Sequence, residues 1–228
     1  MRTELKAGAG ERATLVICTA LMAILALFVS AAAVGTLKSS PLAAALVGAS
    51  GAVLLGLAWL IGVEAAAALR LKIAVEGETL KLDLPRRRGH APLPAMKRET
   101  PLASVIAVEK RSEVFRQLGV TMVQEAYRVR LADGSAIVLG ADRQMKAPLF
   151  GPAAELISER TKVPIADLGM VDGGAGFLAV IGASVPDWSA PSLAPEKIGQ
   201  RRAAAARAFQ LMTLTAALVA LARLIARR

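Results

Sequence analysis

Apolar and polar positions follow a different rhythm in each part of this chain. No charged residue occurs from Ala13 to Leu37, nor from Ser39 to Val63, and Lys38 alone separates the two runs. Each run holds 25 residues. As a helix, either would reach roughly 37 Å, more than the about 30 Å of a bilayer's hydrocarbon core. The pattern predicts a two-helix transmembrane hairpin over 13–68. In the turn, Ser40 offers an N-cap and Pro41 the first position of the second helix. Arg2, Lys6 and Arg12 precede the hairpin, and Arg70, Lys72 and Lys81 follow it. The preference of Lys and Arg for the inner face places both flanks in the cytoplasm, with 1–12 as a cytoplasmic N-terminus. A cleaved signal peptide is the rival reading of the first run, but its apolar core would span only about 7 to 15 residues. Ala44, Gly48 and Gly51 make one side of the second helix small, suited to packing on the first helix or to a larger assembly.

After Arg70 the period drops to two. Strands are expected at Leu69–Val75, Thr79–Leu84, Leu102–Val108, Ala126–Leu131 and Ala136–Leu139, with an Asp133-Gly134 hairpin turn between the last two. A helix is expected from Pro152 to about Lys162, started by Gly151-Pro152, stopped before Pro164, with Leu156 and Ile157 facing inward. Strands followed by a helix make an α+β domain over 69–166. Residues 167–194 read as an apolar connector rich in Gly and Pro. Its Gly174-Ala-Gly176-Phe-Leu-Ala179 is a fragment of the dinucleotide fingerprint without the strand–helix unit that the fingerprint needs. Trp59 and Trp188 are expected at the membrane interface.

Three stretches carry a resemblance: Pro101–Val108, Tyr127-Arg-Val-Arg-Leu-Ala-Asp-Gly134 and Ala153-Ala-Glu-Leu-Ile-Ser-Glu-Arg160. With the order of hairpin, strands and closing helix, they make the chain resemble bacterial membrane-anchored pleckstrin-homology-like (PH-like) domain proteins. The resemblance implies a platform for lipid or protein binding within a membrane assembly, and it carries over no catalytic residues. The expected fold class is α+β: an N-terminal transmembrane hairpin, a cytoplasmic PH-like β domain with a closing helix, and a C-terminal amphipathic or membrane helix over 195–228.

The C-terminal helix admits two readings. Only 15 uncharged residues lie between Arg207 and Arg223, about 22 Å of helix, short of the hydrocarbon core. Leu211, Leu214, Leu218, Leu221 and Ile225 fall on one side at heptad spacing, a seam for a partner helix. Arg201, Arg202, Arg223, Arg227 and Arg228 gather on the other half. An interfacial or helix-packed segment on the cytoplasmic side is therefore preferred to a third span.

Composition sharpens the picture. Hydrophobic residues make up 55% of the chain and mean hydropathy is +0.51, against an ordinary cytosolic domain. A net charge of +10 favours an anionic partner. Arg86, Arg87, Arg88, Lys97 and Arg98, in a Pro- and Gly-rich stretch read as a mobile loop, join the five tail arginines as candidate contacts to anionic phospholipid. The alternative for this stretch is a solvated cationic loop that simply follows the positive-inside preference, and His90 within it reads as an ordinary loop residue. One Cys and one His provide neither a disulfide framework nor a metal cluster, and no cofactor is implied.

Two other functions are open to this sequence. Asp133, Asp142 and Asp167 are candidate carboxylates for a membrane-bound hydrolase, though each sits beside a turn or strand end. A nucleic-acid-binding role is disfavoured by a single Tyr and a mixture of charges in the domain. The expectation is a non-enzymatic, multi-pass protein of the bacterial inner membrane, an accessory or assembly subunit. Its partners would be anionic phospholipid and other integral membrane proteins, in a homo- or hetero-oligomer.

Overall fold

The computed structural model describes residues 2–88, 93–117, 120–143, 147–173 and 186–225. Its chain divides into two compact units. The first comprises Met1–Ala74, Lys81–Arg87 and Pro94–Arg98, and the second Val75–Leu80, Arg88–Leu93 and Glu99–Arg228.

The first unit is built on α1 (Ala9–Thr36) and α2 (Pro41–Arg70). Both are long and apolar enough to cross a membrane. Ser40 caps α2 by accepting a hydrogen bond from the Ala43 amide at 3.3 Å, with Pro41 following it. The buried positions of α2 are Ala44, Gly51, Ala58 and Ala65. A spacing of seven keeps one narrow seam of small side chains along the helix, so that a neighbour can approach closely. The neighbour is α1: a Cβ on Gly51 would stand 2.7 Å from Ser30 Oγ, and one on Gly62 would stand 3.3 Å from the Thr19 methyl. Large apolar side chains point away from this seam, among them Leu21, Leu27 and Phe28 on α1 and Leu42, Leu46 and Trp59 on α2.

A four-stranded sheet in the order β1-β2-β3-β4 continues the hairpin. Its strands are β1 (Arg2–Lys6), β2 (Lys72–Glu76), β3 (Thr79–Leu84) and β4 (Met96–Pro101). Three differences from the sequence pattern appear here. Helix α1 starts a turn before the uncharged run, taking in Glu11 and Arg12. Helix α2 continues through Leu69 and Arg70, so the first strand starts later than alternation suggests. And β1 and β4 form in segments read as a plain terminus and a mobile loop. The backbone of β2 and β3 offers unpaired N–H and C=O groups, and these recruit any chain that can lie beside them, whatever its side-chain pattern.

The second unit holds a sheet in the order β7-β6-β5-β8. A 3-10 turn at Leu102–Ser104 leads into β5 (Val105–Gln117), followed by β6 (Val120–Leu131) and β7 (Ala136–Arg143). The Asp133-Gly134 turn joins β6 to β7, with the Asp133 carboxylate accepting from the Ser135 amide at 2.8 Å. Helix α3 (Phe150–Thr161) buries Phe150, Ala153, Ala154 and Ile157, while Leu156 is half-buried. Lys162, left-handed at φ 59, ends it. The chain then returns as β8 (Ile165–Asp172), parallel to β5. The first residues of the expected connector are therefore a strand. Asp167, Gly169 and Asp172 interrupt the apolar residues there, so the stretch reads as linker, and only the free edge of β5 reveals the pairing. Residues 174–185, including the Gly-x-Gly-x-x-Ala fragment, lie outside the described residues. Helix α4 (Pro195–Ile225) completes the described chain.

One glycine is obligatory for this packing. The β6–β7 register slips between Tyr127 and Arg128, and there Gly140 adopts φ +154. The Phe150 ring lies where a Cβ on Gly140 would be. The bulge thus seats the first residue of α3 against the sheet.

Candidate functional site

The predicted basic residues fall into three environments. Arg86 and Lys97 are exposed, and Arg98 is half-buried. Arg87 is largely covered and lies 3.8 Å from Glu64 near the end of α2. All four belong to the unit that contains the hairpin, as do Arg70, Lys72 and Lys81. Lys72 in turn lies 3.4 Å from Glu4 of β1. The unit that holds the hairpin thus also holds these cations, from the end of α2 to β4. Lys97 and Arg98 sit on β4 rather than on a loop, so their spacing is held by the strand.

Arg88 departs from the expectation. It is 3% exposed, and burial lowers its guanidinium to about 10. It stays cationic at neutral pH, but inside the second unit, where it cannot serve as a surface contact. His90 lies outside the described residues.

On α4, Arg201 is half-buried and donates to Asp172 of β8 at 3.2 Å, while Arg202 is exposed. Ala205 is buried, and α4 packs on β6. Of the leucine seam, Leu211, Leu214 and Leu218 are all exposed. Leu221, Arg223 and Ile225 lie on the last turns of α4, with side chains outside the described residues, as are Arg227 and Arg228 altogether.

Sequence reasoning missed a row of buried polar groups. Glu109, Arg111 and Glu113 alternate along one face of β5 and are each less than 7% exposed. Registered opposite them on β6 are Arg128, Ala126 and Gln124. Glu109 accepts from Arg128 Nε and lies 3.6 Å from Arg130. Arg111 donates to the carbonyls of Leu168, at 3.2 Å, and Ala190. Glu113 accepts from Gln124 Nε2 at 2.6 Å, and burial pushes its carboxyl above the usual carboxylate range against that hydrogen bond. Trp188 lies over the Arg128 guanidinium, 4.3 Å from ring centre to carbon, a cation–π contact. Trp188 is thus engaged within the domain, unlike Trp59, which is 67% exposed on α2. Alternating polar residues on a strand ordinarily mark the solvent face, so the pattern gave no sign that a covering segment would bury them.

The arrangement is that of an ion-pair and hydrogen-bond lattice that ties strand to strand and both to the 186–193 segment. The three aspartates considered from sequence are also engaged. Asp133 holds its turn. Asp142 accepts from the amides of Leu149, Phe150 and Gly151 at 2.7 to 2.9 Å. Asp167 lies 2.9 Å from Lys110 and accepts from the Gly169 amide at the same distance. Partial burial opposes charge on Asp167, but Lys110 and that amide outweigh it and hold the carboxyl below its ordinary value. Among the described residues, no three His, Cys, Asp or Glu side chains converge as metal ligands would. Compared with protein families, curated proteins and solved structures, the chain matches none.

Proposed function

We propose that this chain is a non-enzymatic accessory or assembly protein of a bacterial inner membrane, anchored by α1 and α2. Its α+β domain is PH-like and docks to anionic phospholipid and to other integral membrane proteins. The observation that carries this reading is the first unit. Two helices long enough to span turn their large apolar side chains outward, and the same unit carries Arg70 at the end of α2, Lys72 on β2, Arg86 after β3, and Lys97 and Arg98 on β4. A helix end that leaves the hydrocarbon into a cluster of cations suits an anionic leaflet, where each Lys or Arg is worth about 1 kcal/mol. Arg201 and Arg202 add to the same preference on the second unit. Two four-stranded sheets with α3 suit the PH-like reading, although β8 follows the helix instead of ending the domain on it.

Reconstitution of the full chain in nanodiscs with and without anionic lipid tests the lipid contact. Amide exchange over 81–88 and 93–98 is expected to slow with anionic lipid, less at high salt. Replacing Arg86, Lys97 and Arg98 together by Ala should remove the difference. Identical exchange in neutral and anionic discs refutes lipid docking. Crosslinking in native membranes tests the partner arm, where recovery of the uncrosslinked monomer alone counts against assembly.

A further inference from the structure

We infer that the second half of α4 enters the hydrocarbon of the bilayer and crosses it as a third membrane segment, tying the α+β domain to the membrane at a second point. The inference rests on the reading that α1 and α2 span.

The two halves of α4 have different surroundings. Its first half is docked, through Ala205 and the Arg201–Asp172 contact. From Phe209 onward every described side chain is exposed: Phe209, Gln210, Leu211, Thr213, Leu214, Thr215 and Leu218. At 100° per residue these positions span about 240° of the circumference, wider than the single stripe that one partner helix would cover. A helix apolar around its circumference belongs in a protein core or in lipid.

Charge placement separates lipid insertion from lying in the interface. An interfacial helix needs a charged or polar face along its length. Here the charges stand at the ends, Arg207 before the stretch and Arg223 after it, and the polar residues between them, Gln210, Thr213 and Thr215, all lie in its first half. The two threonine hydroxyls inside are satisfied by the helix itself. Thr213 Oγ1 donates to the Phe209 carbonyl at 3.0 Å and Thr215 Oγ1 to the Leu211 carbonyl at 2.8 Å. The same habit marks the hairpin, where Thr19 donates to Leu15 at 2.7 Å and Ser50 to Leu46 at 3.0 Å. Hydrocarbon supplies no partner for a hydroxyl, so internal pairing removes the main penalty of insertion.

Length is the objection, and it is answerable. The uncharged stretch gives about 22 Å against about 30 Å. Arginine side chains at the ends of a short span extend outward as a general rule, and local thinning of the bilayer takes up the remaining mismatch at fractions of a kcal/mol per Å. The preference for an interfacial helix, drawn from the sequence, rests on this shortness, on the leucine seam and on arginines that lie beyond the apolar stretch; crossing carries Arg223, Arg227 and Arg228 to the outer face, against the preference of Lys and Arg for the inner one.

The test uses full-length chains carrying Cys18→Ala and one added cysteine, in right-side-out and inside-out membrane vesicles with an impermeant maleimide. Lys38→Cys reports the hairpin turn, Glu159→Cys the α+β domain and Ala226→Cys the chain just after α4. Labelling of positions 38 and 226 from one face and of 159 from the other is expected. Adding Leu214→Arg should then move position 226 to the face of position 159. If 38 and 159 label from opposite faces but 226 labels with 159, or from neither face, the third segment is refuted while the hairpin stands. If 38 and 159 label from the same face, the hairpin reading falls, and this inference with it.

Discussion

Asp142 offers the sharpest check on how the domain is held together. Its carboxylate stands at the end of β7 and receives the first amides of α3, those of Leu149, Phe150 and Gly151. The residue preceding α3, Leu149, has no side-chain acceptor of its own. The cap is therefore borrowed from a neighbouring strand, and it also complements the positive end of the helix dipole. Asp142→Ala leaves three amides without that acceptor. Hydrogen bonds to a charged group contribute about 1.5 to 3 kcal/mol each, but three bonds sharing one carboxylate are not additive, and water recovers part of the loss. Losing an N-cap alone costs about 0.5 to 2 kcal/mol. We expect a loss of about 2 to 3 kcal/mol, or a fall of about 4 to 12 °C in the melting temperature of the domain. Asp142→Asn keeps one oxygen for Leu149 and Phe150 but turns an amide donor toward Gly151, so it should fall between. The assay is thermal unfolding of the full chain in detergent, with amide exchange over 149–155 as the local readout and α1 as the control. A melting temperature unchanged by Asp142→Ala, or no faster exchange at the start of α3, would falsify the borrowed cap.

Other expectations follow from the same physical reasoning. Burial raises Glu113, so the folded chain holds that proton more tightly than the unfolded chain. The stability it contributes is complete below the unfolded carboxyl range near about pH 4.3, and is lost as pH rises through the folded value. Glu113→Gln should remove this decline, and superimposable melting-versus-pH curves for the two proteins would contradict it. Gly140→Ala should prevent normal packing, because φ +154 and the Phe150 ring both oppose a Cβ. Its effect should be strongly non-additive with Phe150→Ala, and additivity in unfolding measurements would argue against the contact. In the hairpin, Gly51→Ala should cost about 1 to 3 kcal/mol by overpacking. Ser30→Ala should recover much of this, since Ser30 Oγ is the nearest atom; absence of recovery in a detergent unfolding assay tells against the seam. Trp188→Ala should quicken amide exchange over 187–193, while Trp188→Phe should not, because the ring face over Arg128 is what holds the segment.

Local pattern determined a good deal of this molecule. The two uncharged runs require helices long enough to span, and Ser40-Pro41 sets the start of the second. Asp133-Gly134 sets the β6–β7 turn, and Pro164 stops α3. In each case the information lies within a few residues, where hydrophobic period, capping and turn chemistry act. Tertiary structure decided the rest. The pairing of β1 and β4 depends on strand edges far along the chain, and β8 is a strand because β5 has an unfilled side. The burial of Glu109, Arg111 and Glu113 depends on a segment about 80 residues away closing over them, shown by Arg111 reaching the Ala190 carbonyl. The same closure places Trp188 on Arg128. Alternation in a strand tells which residues share a face, but not whether water or protein lies against that face. That choice belongs to long-range packing, and here it turned a row of charges, solvent-facing by pattern, into part of the interior.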